Sequence, residues 1–159
     1  MTAIRRFLTL PAAARAIVAR SLLLLPVVAA LLGMTGFART RAWLRPPHRR
    51  APAIEALEPR EVARLVHGAA ARLRVGCLPR SLVLLRFLDC YGERVHLRFG
   101  VLKTPEGSLE AHAWIELDGA ALCESANLLT RYAALPAPPA QPIRDGRGIR
   151  GAQRCFPAE

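Results

Sequence analysis

The chain has 159 residues and a mass of 17.4 kDa, room for one domain with its own core and too short for two. Hydrophobic residues make up 52% and charged ones 22%, which excludes a chain that is disordered throughout. The net charge is +11, but nine arginines and no acid lie in residues 1–50 while residues 51–132 balance ten basic against ten acidic side chains, so the charge belongs to the arms and the folded part lacks the basic stripe of a nucleic-acid binder.

Taken in chain order, residues 21–38 carry no charge and follow Arg5, Arg6, Arg15 and Arg20. This run supports three readings: helices that pack or lie on a membrane surface, a membrane span, and a signal peptide cleaved near Gly36-Phe37-Ala38. Pro26 and Gly33 inside a run at the lower limit for a span favour the first. Residues 1–50 are accordingly read as a basic, apolar helical extension, joined to the domain by a proline-broken linker at residues 45–53. The domain itself is placed at residues 54–132.

A helix over residues 59–73 is predicted from Pro59 in its first turn and the apolar face Val62, Leu65, Val66, Ala69 and Leu73. A second, over residues 78–91, opens with Pro79, closes at Gly92 and is apolar nearly all round, as a buried helix would be. The period then changes to two. Val95, Leu97, Phe99 and Val101 alternate with polar residues, and after a Pro-Glu-Gly turn so do Leu109, Ala111, Ala113, Ile115 and Leu117. Asp118-Gly119 turns the chain into a short strand through residues 122–124. Residues 133–159, rich in proline and glycine, read as a flexible tail. Two helices followed by an antiparallel meander make an α+β fold.

Four cysteines without a CxxC pair argue against a zinc ribbon or a thioredoxin-type site, and no metal or cofactor is expected. Cys77 stands where a tight loop meets a buried helix. Free amides and the positive helix end there favour a thiolate and could serve as oxyanion donors, although a buried structural cysteine is the commoner occupant of such a place. His112 lies mid-strand opposite the apolar set, where taken alone it reads as structural. Glu124, twelve residues on and across a turn, can come alongside it and fix its tautomer. His48, His67 and His96 have no acid so placed. A two-residue Asp118-Gly119 turn would leave Glu124 facing away from His112, whereas a three-residue loop with a bulge would bring it close. Local propensity favours the first and the chemistry the second, and the longer loop is expected.

Three pieces, Cys-Leu-Pro-Arg-Ser-Leu at residues 77–82, Phe-Gly-Val at 99–101 and Ala-His-Ala-Trp-Ile-Glu at 111–116, resemble the B-type leader peptidases of lasso-peptide biosynthesis. These are cysteine peptidases of transglutaminase-like, papain-like fold. The resemblance covers about residues 60–132 and implies Cys77 as nucleophile, His112 as general base and Glu124 in the place of a third residue that is usually aspartate. It also implies a substrate, a ribosomally made precursor carrying its leader, and two partners: a separate leader-recognition protein and an ATP-dependent lasso cyclase. A cytoplasmic location is expected, with the N-terminal helices as candidates for membrane-surface contact. A catalytically inactive scaffold of the same pathway and a basic nucleic-acid-binding protein are the alternative readings.

Overall fold

The computed structural model describes residues 7–44, 57–125 and 130–135. The linker at 45–53, the tail beyond residue 135, His48 and Cys155 lie outside them.

Helix α1 runs Ala12–Trp43 and is broken at Gly36, whose φ of 76° only glycine adopts at little cost. Thr35 and Thr40 close the break, their hydroxyls donating to the carbonyls of Leu31 and Gly36 at 2.9 and 2.8 Å. Helix α2, Pro59–Leu73, keeps the expected bounds and ends on Arg74 in the left-handed region, with the Val75 N–H donating to the Ala70 carbonyl. Helix α3 covers Cys77–Phe87. It starts one residue earlier than the sequence suggests, on Gly76 as N-cap, and stops short of Tyr91. The chain there tightens into a 3-10 segment, Asp89–Arg94, in which Gly92 turns left-handed with φ 56°.

Strands β1 (Val95–Lys103), β2 (Leu109–Leu117), β3 (Ala120–Ala121) and β4 (Ala133–Ala134) form one antiparallel sheet in the order β3-β2-β1-β4. The protein is thus α+β. Ala133 and Ala134, expected at the start of the tail, instead pair with Val101 and Gly100.

One core joins these elements. Ile17, Leu25 and Val28 of α1, Val62 and Val66 of α2, Leu82 and Val83 of α3, and Val95, Leu97, Ala113 and Ile115 of the sheet are all buried in it. The helical extension is therefore built into the domain. Leu109 departs from its strand's apolar pattern and is exposed, since it lies at the loop end of the β1–β2 hairpin beyond the helices.

Candidate active site

Ser81 and Arg80 fasten α3 to the sheet. The Ser81 hydroxyl, buried, donates to the Ala113 carbonyl at 2.9 Å, next to His112. The Arg80 guanidinium donates to Glu124 Oε1 at 2.6 Å. The other oxygen of the same carboxylate, Oε2, lies 3.3 Å from His112 Nε2. A single carboxylate, its side chain 7% exposed, is therefore shared by a cation on α3 and an imidazole on β2. The approach to His112 is a charge contact, off the angle of a good hydrogen bond, and Nε2 has no such bond among the described residues. A small rotation of either group would close it.

Cys77 precedes Arg80 and Ser81 by one turn and occupies the same side of α3. It is half-buried against the core at the first helical position. The N–H groups of the first turn have no partner within the helix, and Pro79 costs nothing there because its missing N–H is one of those orphans. The turn that Cys77 opens is thus the one that holds Glu124 and the backbone beside His112.

Glu124 reaches His112 by a different route from the one the alternation of side chains suggests. The Asp118-Gly119 turn has two residues, pairing Leu117 with Ala120 and Glu116 with Ala121, so the expected three-residue bulged loop does not form. Both turn residues are left-handed, with φ 51° and 80°, the combination whose twist suits a two-residue hairpin, and Arg94 clamps the Asp118 carboxylate through two nitrogens. The short strand expected through residues 122–124 ends at Ala121. The Leu122 N–H still donates to the Ile115 carbonyl, but Cys123 then adopts φ 57° and reverses the face on which the next side chain emerges. The Cys123 thiol points instead to the Arg60 carbonyl of α2, 3.6 Å away.

The imidazole is held from its other sides by aromatic rings. Trp114 stacks with it at a centroid distance of 6.0 Å, and Tyr132 lies at 5.3 Å. The Trp114 indole N–H donates to Glu116, whose carboxylate also accepts from Arg98. Gly100, paired with His112 across β1 and β2, makes room for both rings: a Cβ there would lie 2.9 Å from the Trp114 ring and 2.9 Å from Tyr132 Cβ. His67 on α2 belongs to the same neighbourhood. Burial lowers its pKa to about 4, with the charges of Arg80 and His112 adding to the effect.

Arg80, Ser81, Gly100 and Trp114 stand in the quoted motifs but carry no role from the sequence, and Tyr132 and His67 have none either. Arg80 and Ser81 could have been found, since they stand in the same short motif as Cys77. Tyr132 carries no local signal.

A family model described as the transglutaminase-like superfamily matches residues 21–137, nearly three quarters of the chain. Its start inside α1 agrees with the packing of that helix into the common core. No curated protein and no solved structure matches the chain.

Proposed function

Because the chain belongs to the transglutaminase-like superfamily, which includes cysteine peptidases, we propose that it is a cysteine peptidase that removes the leader from a ribosomally synthesised lasso-peptide precursor. The observation that carries this reading is the shared Glu124 carboxylate, which ties His112 to the first turns of the helix that Cys77 opens.

In the reaction, His112 takes the thiol proton and the Cys77 sulfur attacks the scissile carbonyl carbon. Glu124 addresses Nε2, so Nδ1 is the nitrogen left to face the thiol. The amides of the first turn of α3 stabilise the oxyanion in this reading. The protonated imidazole passes its proton to the leaving amine, and the acyl-sulfur bond is then hydrolysed by a water whose proton returns to His112. Glu124 holds the ring in one tautomer and balances its charge while it is protonated. The Cys-Leu-Pro-Arg-Ser-Leu and Ala-His-Ala-Trp-Ile-Glu motifs support the choice of a lasso precursor as substrate. A separate leader-recognition protein presents that precursor, and an ATP-dependent cyclase closes the ring afterwards. The free thiols of Cys77 and Cys123 suit the reducing cytoplasm in which such a precursor is made.

The test is cleavage of precursor by purified protein with the leader-recognition protein present, followed by mass spectrometry. Wild type releases the leader, Cys77→Ala releases none, and Cys90→Ser cleaves normally. Turnover that survives Cys77→Ala but not Cys90→Ser would sink the assignment. Precursor binding without cleavage by the wild type would favour the scaffold reading.

A further inference from the structure

Helix α1 is apolar on both sides, and only one of them is explained by the core. Ala14, Ile17, Ser21, Leu25 and Val28 form the buried stripe. On the opposite side Leu22, Leu23, Pro26, Val27, Ala30 and Met34 face outward and are exposed, Leu23 by 72% and Met34 by 74%. From Leu22 to Met34 this outward stripe runs about 18 Å and contains no charged side chain. Its ends are cationic: exposed Arg20 borders one, exposed Arg39 and Arg41 follow the other, and no acid occurs in residues 1–54.

An apolar stripe followed and preceded in the chain by arginines, the later pair past the break at Gly36, with no acid in the same segment, complements a surface that is apolar inside and anionic at its rim. We propose that α1 lies along an anionic lipid bilayer, with Leu22, Leu23, Val27 and Met34 in the acyl boundary and Arg20, Arg39 and Arg41 on lipid phosphates. The helix lies on the membrane and does not cross it, because Ile17, Leu25 and Val28 would have to leave the core of the domain to enter lipid. Arg86 donates to the Leu44 carbonyl where α1 ends, and Cys77 is about 14 Å back along the axis of α3 from that contact.

Trp43, 55% exposed near the end of α1, reports the contact directly, since the other tryptophan, Trp114, is buried. The full-length protein is mixed with phosphatidylcholine vesicles, with and without phosphatidylglycerol, and followed by co-sedimentation and by emission in a Trp114→Phe background, with wild type as control. Binding and a blue shift of Trp43 are expected with phosphatidylglycerol only, weakening as salt is added. Leu23→Glu with Met34→Glu should lower partitioning at least about tenfold while circular dichroism and precursor cleavage stay as in wild type, since both side chains point away from the core. Arg20→Gln with Arg41→Gln should flatten the salt dependence. Equal binding to neutral vesicles, no binding, or unchanged binding of the Leu23/Met34 variant overturns the proposal. So does a wild-type dimer that this variant dissociates, because a second copy would then cover the stripe, or a loss of leader-recognition protein binding in the same variant. Resistance to carbonate extraction would mean a span and overturn it too. The vesicle, dimer and extraction readouts do not depend on whether the protein cleaves a peptide.

Discussion

Glu124 meets His112 at the edge of the sheet because the residue before it, Cys123, is left-handed. Leu122 is still in strand register, bonded to Ile115, and a continued strand would send the carboxylate to the other face. One dihedral thus delivers Glu124 to His112, at a cost of about 1–2 kcal/mol for a residue with a side chain. Cys123→Gly should relieve that cost, retain cleavage and leave thermal stability unchanged or higher. Cys123→Val should lower both. Paired thermal melts and cleavage rates check this, and equal behaviour of the two variants would count against the role given to this residue.

Glu124 spans two partners, and its length matters. Glu124→Asp, a methylene shorter, should reach only one of Arg80 and His112, and cleavage should fall to a level between wild type and Glu124→Gln. The glutamine variant keeps the shape but loses the charge that balances the imidazolium, and kcat should drop about 10²-fold or more with KM little changed. Steady-state kinetics on all three proteins distinguish these levels.

Gly100 is required by its neighbours. Gly100→Val should push against the Trp114 ring and Tyr132, costing about 1–3 kcal/mol in urea unfolding and displacing the rings that hold His112. Gly100→Ala should show a smaller effect of the same kind. A valine variant as stable and active as wild type would contradict the packing.

His67 gives the fold an acid limit. Its folded pKa of about 4 lies below its ordinary value of 6.5, so the unfolded chain binds the proton more readily between the two. The stability tied to the neutral ring is fully present above about 6.5 and is lost as pH falls toward about 4. His67→Gln should flatten that part of the profile. Urea midpoints at neutral pH and near pH 4 measure it, and an unchanged difference in the variant would remove His67 as the cause.

Ser81 is small and buried, and its hydrogen bond matters because it ties α3 to a backbone carbonyl of β2. Ser81→Ala should cost about 1–3 kcal/mol of stability. It should also loosen α3 against β2, which lowers cleavage. Ser81→Thr retains the hydroxyl and should recover part of both.

What the sequence could reveal was local. The period of two in residues 95–101 and 109–117, and the apolar face of residues 59–73, each arise from one element packing on one surface, so they stand in the chain itself. Pro59 opens α2 through chemistry confined to a single turn. The Asp118-Gly119 propensity was also true to the structure, and the longer loop was expected only because the effect of Cys123 was invisible: no residue type announces a left-handed cysteine. Tyr132 and β4 were hidden for a related reason. They are placed by contacts with Gly100 and Val101, some 30 residues earlier, and two alanines show no strand pattern of their own.

The burial of Ile17, Leu25 and Val28 bears on modularity. An enzyme tethered by a detachable anchor can be cut free of it and still fold, but here the same helix that shows Leu23 and Met34 to the outside closes the core from within. Truncation past Leu25 would strip Ile17 and Leu25, worth about 2–5 kcal/mol each, from the domain. A module joined ahead of Ala12 would have to leave α1 in place, since the core is incomplete without it.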